Sequence, residues 1–331
     1  MITQVEVRSF PRVHVTLVDL AGVTRRRYGG AGFALDLFPV EVVARVASSN
    51  ALTWDVPVAA RDATDAEAVL ERLSAALRKK FAIGVRRLPP QHVGFGSKTA
   101  FLLAVSAACN SLLGSPLTHS DLKKLSGRGS ASGIGINTFF SGGLVIDLGH
   151  PSSPEEPFTP SSSRPPISTP PAAVQLAFPE EWQVHLFMPD GRKYESCEEV
   201  TFFACNTPIP TEEAWRVLAA VYHGLLPAFV NRDLQLLRAS LKDIHATGFK
   251  RRELEGQGAC VAHVIELLAE YEDVAAGLSS MGPLVYAIAP TGQAPAMATL
   301  GERLQHMGLA TYLGAAAGRN TGHETGRPSD D

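Results

Sequence analysis

The feature that most limits how this chain can fold is a glycine-rich run that leads directly into an apolar segment. Residues 89–99 read PPQHVGFGSKT, and the apolar residues after them predict a helix from about Thr99 to Leu113. Glycines let a backbone approach a ligand closely, and the free N–H groups of a first helical turn bind anions. The run therefore predicts phosphate binding by Gly94, Gly96, Ser97, Lys98 and Thr99.

An ordinary glycine turn in which Ser97 caps the helix is the structural alternative for this run. The run is not a Walker A loop, because that motif has glycine directly before its lysine and Ser97 precedes Lys98 here. Ser97 and Thr99 would add hydroxyl donors to the backbone amides, and Lys98 would add a full positive charge.

Two further glycine clusters strengthen the prediction of a phosphate site. Residues 126–135 read SGRGSASGIG and precede a strand-like apolar run, and residues 277–283 read GLSSMGP before another. Arginine binds phosphate through two parallel hydrogen bonds, which lysine cannot do. A connector or turn before a buried strand is the alternative for each cluster. The residues predicted to bind phosphate in these clusters are Arg128, Gly129, Ser130, Ser132, Gly133 and Ser280.

Composition and charge narrow the classes of partner. A formal charge of −3 gives no general attraction for nucleic acid, and the usual DNA-binding signatures are absent from the sequence. The four cysteines have no CxxC spacing, which favours a reducing compartment. No secretion signal or membrane span is indicated. We therefore expect a cytoplasmic protein that binds a small phosphorylated molecule and neither nucleic acid nor membrane.

Periodicity gives a coarse map of the first elements. Polar and apolar residues alternate over Val5–Leu20, which predicts a half-buried strand with His14 on its polar face. A second strand is predicted over about Gly32–Leu37. A helix is predicted from about Asp65 to Lys80, started by a capping box at Thr64.

The length predicts two domains, and the mixture of predicted strands and helices favours an α+β fold. The stretch 151–171 is rich in proline and serine, which predicts a linker or surface loop. We expect a first domain at residues 1–150 and a second at residues 172–317. Residues 318–331 lack large apolar side chains and are predicted to form a disordered tail.

The order of these motifs resembles the GHMP superfamily of small-molecule kinases. The pattern Pro-x-x-x-Gly-x-Gly-Ser-x-x is matched from Pro90 to Thr99, with Lys98 in the position of the kinase motif's second serine. Within the superfamily, five segments are similar to β-ribofuranosylaminobenzene 5′-phosphate synthase, in the same order and over nearly the whole chain. These segments span residues 12–20, 29–35, 127–135, 142–150 and 279–286.

This resemblance implies a ribosyltransferase rather than a kinase. Members of the family join phosphoribosyl pyrophosphate (PRPP) to a para-substituted benzoate, with loss of pyrophosphate and CO2 and formation of a carbon–carbon bond. Bacterial relatives make C-nucleoside antibiotics on heteroaromatic carboxylates. The resemblance also implies a GHMP fold, with an N-terminal domain like domain 2 of ribosomal protein S5 and a ferredoxin-like C-terminal domain, and a homodimer.

For this reaction we expect Mg²⁺ on the leaving pyrophosphate, because Mg²⁺ prefers carboxylate and phosphate oxygens. The predicted metal ligands are Asp19 and Asp147, and structural hydrogen bonding is the alternative for each. His14 is predicted to protonate the leaving group or orient the acceptor, with Asp19 and Lys98 as the other catalytic residues. The residues predicted to bind the acceptor are Arg26, Arg27 and His150. A solvated basic turn is the alternative for the two arginines, and a structural histidine is the alternative for His14.

Two other functions compete with this hypothesis. An ATP-dependent GHMP kinase would need similar loops, and a catalytically silent phosphate-binding regulator or structural subunit would bind ligand without turnover. The acceptor is also open between 4-hydroxybenzoate or 4-aminobenzoate, as in methanopterin biosynthesis, and a pyrazole carboxylate. Abundant Ala, Arg, Gly and Pro suggest a GC-rich genome and slightly favour the pyrazole.

Overall fold

Strand pairing divides the chain into three β-sheets with helices packed around them. The computed structural model describes residues 3–128, 133–151, 157–160, 169–194 and 196–328. The fold class is α+β, as predicted. The strands are β1 (Val5–Ser9), β2 (Arg12–Asp19), β3 (Arg26–Ala34), β4 (Val40–Ala47), β5 (Ala51–Trp54), β6 (Lys80–Arg87), β7 (Leu144–Asp147), β8 (His150–Pro151), β9 (Ala172–Leu176), β10 (Trp182–Pro189), β11 (Ala275–Leu278), β12 (Val285–Pro290), β13 (Ala310–Ala317) and β14 (Glu324–Gly326).

The helices cover the faces of these sheets. A π-helical turn, Val221–Leu225, joins α6 to α7. No helix in the described ranges is long and apolar enough to cross a membrane. The helices are α1 (Ala60–Leu77), α2 (Ser97–Leu112), α3 (His119–Leu125), α4 (Gly133–Ser141), α5 (Ser196–Asn206), α6 (Thr211–Ala220), α7 (Leu226–Asn231), α8 (Leu234–His245), α9 (Gly248–Gln257), α10 (Ala259–Ala269) and α11 (Ala294–His306).

The three sheets differ in strand order. The first is β14-β1-β4-β6-β5, in which only β5 and β6 are parallel. The second is β2-β3-β7-β9, and the short β8 also pairs with β3. The third is β11-β12-β10-β13, antiparallel throughout. In chain order its strands alternate with helices as β10, α5–α10, β11, β12, α11 and β13, which is the predicted ferredoxin-like arrangement.

Two apolar cores hold the second sheet and helix α2 in position. One core joins the second and third sheets, where the ring centroids of Phe33 and Tyr286 are 5.8 Å apart. The other packs α1 and α2 against the first sheet. The backbone N–H of Arg12 donates to the carbonyl of Phe95 at 3.0 Å. The start of α2 therefore lies directly against β2.

The strand predicted over residues 5–20 is in fact two strands in different sheets. The chain turns at Phe10 and Pro11, and proline has no N–H with which to extend a strand ladder. The register of β2 against β3 also shifts between His14 and Thr16, so the simple alternation of the sequence is interrupted by a bulge. The second strand begins earlier than predicted, because β3 runs from Arg26 to Ala34.

The first helix begins and ends earlier than predicted. Helix α1 starts at Ala60 after Ala59 as N-cap, so the capping box at Thr64 is not formed; the Thr64 hydroxyl donates to the Ala60 carbonyl instead. The helix ends where Arg78 adopts a left-handed conformation with φ of 52°. Lys80 then opens β6, whose alternating apolar residues are buried in the first sheet.

The chain after residue 171 departs from the predicted division. Strand β9 pairs with β7, so residues 172–176 belong to the second sheet. Residues 152–156 and 161–168 of the predicted linker lie outside the described residues. The prediction of a disordered tail is wrong for residues 318–328, because β14 pairs with β1 there. The Arg319 guanidinium is buried over Phe10 and bridges Asp36 at 3.2 Å and Glu324 at 2.7 Å.

This tail should contribute to stability. Asn320 hydrogen-bonds both backbone groups of Phe178, at 2.6 and 3.0 Å. We expect truncation after Gly318 to lower the unfolding free energy by about 2 to 4 kcal/mol, because several hydrogen bonds of about 1 kcal/mol each are lost. Urea denaturation would measure this. A chain truncated after Arg327 keeps β14 and is the matched control; equal stability of the two truncated chains would contradict the prediction.

Candidate active site

A cavity of about 220 Å³ lies where the second sheet meets the start of α2 and the first turn of α4. It brings together most of the predicted site residues with several that the sequence analysis missed. Its lining consists of Arg12, His14, Leu17, Tyr28, Gly29, His92, Gly94, Gly96, Ser97, Lys98, Thr99, Arg128, Gly133, Gly135, Asp147, His150, Pro170, Tyr194, Glu199, Phe203, Glu253, Ser280, Met281 and Gly282.

One end of the cavity, the loop end, is formed by Gly94–Thr99 at the start of α2. Gly96 is the N-cap, with φ of 68°, and no side chain caps the helix. The alternative in which Ser97 is the cap is therefore wrong. A Cβ at Gly96 would lie 2.9 Å from Cζ of Arg12, so a side chain there would displace the guanidinium, and the positive φ favours glycine as well. The open first turn of a 16-residue helix favours an anion here.

Two guanidinium groups add positive charge to the loop end. Arg12 Nη1 donates to the Gly94 carbonyl at 2.5 Å, and Arg128 Nε donates to the Thr99 hydroxyl at 3.1 Å. Burial, helped by the charge of Arg128, lowers the pKa of Arg12 to about 10. Two buried cations that repel each other are stabilised by an anion between them. Arg12 is not among the phosphate-binding residues predicted from the sequence.

Lys98 lies in this lining but shares its charge with carboxylates of α1. Its Nζ is 3.1 Å from Oδ1 of Asp62 and also contacts the carboxylate of Asp65. His92 Nε2 is 3.3 Å from the other oxygen of Asp62. The hydrogen bond to Asp62 raises the pKa of His92 despite partial burial. The loop end therefore includes a histidine that retains its proton to higher pH than usual.

His14 has the opposite charge state. Burial, with the charges of Arg12 and Lys250, lowers the pKa of His14 well below its ordinary value, so its imidazole is neutral at pH 7. A neutral imidazole is a poor proton donor to a leaving group. The structure thus speaks against that predicted role, while His14 still lines the cavity and can contact an acceptor.

Ser280 is held in the lining by a buried ion pair of α9 that the sequence analysis missed. Lys250 Nζ donates to the carbonyls of Leu278 and Ser280 at 3.2 and 3.0 Å, and lies 2.5 Å from Glu253 Oε2. Burial lowers the pKa of Lys250 and raises the pKa of Glu253. Because α9 is polar nearly throughout, no apolar periodicity marked the buried face of this helix.

The other end of the cavity, the aromatic end, is walled by apolar and aromatic side chains around one carboxyl group. Tyr28 and His150 meet edge to face with centroids 6.0 Å apart. Asp147 accepts the Gly149 N–H at 2.8 Å, and burial raises the pKa of Asp147 to about 7. The remaining walls of this end are Leu17, Phe203 and Met281.

Three predicted residues lie outside the cavity lining. Asp19 accepts backbone N–H groups from residues 21–24 at 2.7 to 3.4 Å, so its carboxylate closes a local turn. The Arg26 guanidinium donates to the carbonyls of Leu148 and Gly149. Arg27 stacks on the ring of Phe158 at 3.7 Å. The structural alternative fits Asp19. Gly129, Ser130 and Ser132 lie outside the described residues.

These positions give no support to a metal site built from Asp19 and Asp147, because Asp147 lines the cavity and Asp19 does not. Within the described part of the chain, no group of three or more His, Cys, Asp and Glu side chains is arranged to hold a metal ion.

Curated relatives decide the family. An enzyme of Archaeoglobus fulgidus named β-ribofuranosylphenol 5′-phosphate synthase is 32% identical over 318 residues, 96% of this chain and 98% of the relative. A protein of the same name from Methanothermobacter thermautotrophicus is 31% identical over 297 residues, covering 87% and 89%. This chain belongs to the β-ribofuranosylphenol 5′-phosphate synthase family. No protein-family model matches the chain.

Solved structures place this synthase-family chain in the GHMP fold, as predicted. Homoserine kinase from Cytophaga hutchinsonii superimposes with a TM-score of 0.71 at 16% identity, over 98% of both chains. Mevalonate diphosphate decarboxylase from Staphylococcus aureus superimposes with a TM-score of 0.65 at 14% identity, also over 98% of both. At such identities the likeness concerns the fold alone.

Breaking the buried Lys250–Glu253 ion pair should lower the stability of the protein. Replacing Lys250 with Met leaves Glu253 buried without its cation, which costs about 3 to 5 kcal/mol. The double variant Lys250→Met with Glu253→Leu should regain most of that loss, because it removes both buried charges. Urea denaturation of the three proteins checks this. A double variant no more stable than Lys250→Met would show that the loss comes from the loop contacts of the lysine instead.

Proposed function

We propose that this protein transfers ribose 5-phosphate from PRPP to a ring carbon of a para-substituted aromatic acid, releasing pyrophosphate and CO2. The observation that carries the proposal is that one cavity joins an end lined by the start of α2 and two guanidinium groups to an aromatic end. The name of the relatives supports it, since a ribofuranosylphenol phosphate combines a phosphorylated ribose with a phenol ring. Of the candidate acceptors, that name favours 4-hydroxybenzoate.

The loop end would bind the phosphate groups of PRPP. When the bond from ribose C1 to pyrophosphate breaks, negative charge grows on the leaving group and positive charge on the ribose. Backbone amides at the start of α2, with the guanidinium groups of Arg12 and Arg128, are placed to stabilise that negative charge. Because these groups are fixed by hydrogen bonds to the loop itself, they need little rearrangement during the reaction.

His92 rather than His14 would protonate the departing pyrophosphate. Its Nε2 is held by Asp62, which leaves the ring to present its other nitrogen to ligand. The raised pKa of His92 keeps the proton available near neutral pH. Lys98, fixed by the same Asp62, would orient phosphate oxygens while its charge stays partly balanced.

The aromatic end would hold the acceptor ring close to ribose C1. Attack by the ring carbon that bears the carboxylate lets the loss of CO2 restore aromaticity, so this step uses no organic cofactor. Tyr28, Phe203 and Met281 offer apolar surface for a flat ring. A ring held in van der Waals contact with C1 gains a large rate advantage over free encounter.

Mg²⁺ would bind pyrophosphate oxygens and neutralise part of their charge. Mg²⁺ keeps several waters and commonly uses one or two protein carboxylates with substrate phosphates, so the absence of a three-residue cluster in the described chain fits this mode. Glu199 lines the cavity, and its negative charge raises the pKa of Arg128 against burial, which places it near the loop end. Glu199 is the carboxylate we assign to the metal.

The direct test supplies PRPP and Mg²⁺ with 4-hydroxybenzoate, 4-aminobenzoate or a 4-aminopyrazole dicarboxylate in parallel. We expect acceptor-dependent release of pyrophosphate and a product mass that shows loss of CO2, with 4-hydroxybenzoate the most active. EDTA should stop the reaction. If no acceptor stimulates release, and ATP is consumed with a small alcohol instead, the proposal is wrong and the protein is a kinase. Binding of PRPP without turnover would indicate the silent regulator.

Replacing His92 with Gln tests the proton donor. We expect kcat to fall by about 100-fold, the usual range for loss of a general acid. The pKa of His92 is raised, so its acid form is lost only as pH rises through that raised value, and wild-type kcat should decline on the alkaline side. The variant should lack this decline. His306→Gln, on the exposed face of α11, is the matched control. An alkaline decline that survives in His92→Gln would exclude the role.

A further inference from the structure

Two titratable side chains that line the cavity, His14 and Asp147, lie beside Gly30 of β3. Gly30 of β3 pairs with Asp147 of β7, so both residues lie on the same face of the sheet. A Cβ at Gly30 would lie 3.1 Å from Nε2 of His14 and 3.2 Å from the carbonyl of Thr16. The same Cβ would lie 3.4 Å from Cγ1 of Ile134, so glycine at this position lets His14 and α4 pack closely on the sheet beside Asp147.

The carboxyl group of Asp147 is confined between Gly149 and the start of α4. Its Oδ1 accepts the Gly149 N–H at 2.8 Å. A Cβ at Gly133 would lie 2.7 Å from its Oδ2, so only glycine lets α4 begin beside that oxygen. Asp147 is 4% exposed but lines the cavity. Its carboxyl group is therefore reached from the cavity rather than from bulk water.

The surroundings of Asp147 allow its carboxylate to accept a proton near neutral pH. Burial raises the pKa of Asp147 to about 7, against the Gly149 hydrogen bond and the charge of Arg26. Arg26 itself is engaged by the carbonyls of Leu148 and Gly149. Burial and the charge of Asp147 together raise the pKa of Tyr222. The other titratable groups near this end of the cavity are His14, Tyr28 and His150.

We propose that Asp147 is the catalytic base that takes the proton from the para hydroxyl of the acceptor. This inference rests on the function proposed above and adds a residue that activates the acceptor. A phenol ring attacks through carbon far more readily once its oxygen has lost, or is losing, the proton. An ordinary phenol has a pKa of about 10, so at neutral pH it needs a base at the oxygen.

The step balances without another reactant. The O–H bond breaks and its proton goes to Oδ2 of Asp147, while the oxygen electron pair enters the ring. The ring carbon bearing the carboxylate bonds to ribose C1 as the bond from C1 to pyrophosphate breaks. The bond to the carboxyl carbon then breaks and CO2 leaves, and its electron pair restores the aromatic ring. The para oxygen finally takes back the proton from Asp147.

The other buried carboxylates of the cavity region fit this role less well. Glu253 lies 2.5 Å from Lys250 Nζ, and that ion pair anchors the Ser280 loop. Asp62 is shared between His92 and Lys98 at the loop end. Asp147 alone among these three has no lysine, arginine or histidine ion-pair partner among the described residues.

The test compares Asp147→Asn with wild type on two acceptors that differ in phenol acidity. The variant keeps the shape and the oxygen that accepts the Gly149 N–H, but it cannot take a proton. We expect kcat with 4-hydroxybenzoate at pH 7 to fall by about 100-fold, and the loss with the more acidic 3-fluoro-4-hydroxybenzoate to be only about 10-fold. Wild-type kcat should rise with pH through about 7, and the variant should lack that rise.

Comparing acceptors within one protein makes the result independent of the fraction folded. Isothermal titration should show that Asp147→Asn binds PRPP within about twofold of wild type, and Asp273→Asn on the surface should leave kcat unchanged on both acceptors. An equal loss on both acceptors would overturn the role of Asp147 and leave the proposed function standing. A wild-type protein that releases no pyrophosphate with any acceptor would remove the proposed function and this role together.

Discussion

The close approach of α4 to its neighbours is the constraint on which the cavity depends. A Cβ at Gly32 would lie 2.7 Å from Cγ2 of Ile134, and one at Gly133 would lie 2.7 Å from Oδ2 of Asp147. A third glycine, Gly135, faces the first turn of α2 in ordinary contact. Any larger side chain at the first two positions would push α4 outward. These glycines therefore set how closely α4 approaches the second sheet beside the cavity.

The second requirement of this arrangement is that each buried charge be compensated, because an unpaired ion in a protein interior is costly. The buried groups are accommodated in different ways. Lys250 and Glu253 neutralise each other behind the Ser280 loop, while His14 responds to burial by staying neutral, with a pKa far below its ordinary value. Arg12 keeps its charge and donates a hydrogen bond to the carbonyl of Gly94 in the loop. The positive charge that faces the cavity is thus concentrated where backbone amides already favour an anion.

The sequence predicted local features well and long-range ones poorly. The glycine-rich turn and the helix after it were predicted to within two residues, because glycine spacing and a run of apolar residues are local signals. The role of Asp19 could not be read in this way, since a carboxylate that closes a turn and one that faces a ligand look alike in sequence. Glu253 was missed because its burial depends on how α9 packs, which polar composition conceals.

The position of Arg26 and Arg27 outside the cavity lining affects how the acceptor would lose CO2. The sequence suggested that Arg26 and Arg27 bind the acceptor carboxylate, but neither lines the cavity, and the lining cations Arg12, Lys98 and Arg128 contact the loop end or α1. Under the proposed function this absence among the described lining residues is useful. A carboxylate held by arginine would be stabilised as an anion, whereas the leaving CO2 is neutral. Because no guanidinium lines the aromatic end in the described residues, a carboxylate there is less stabilised as an anion, which favours its loss as neutral CO2.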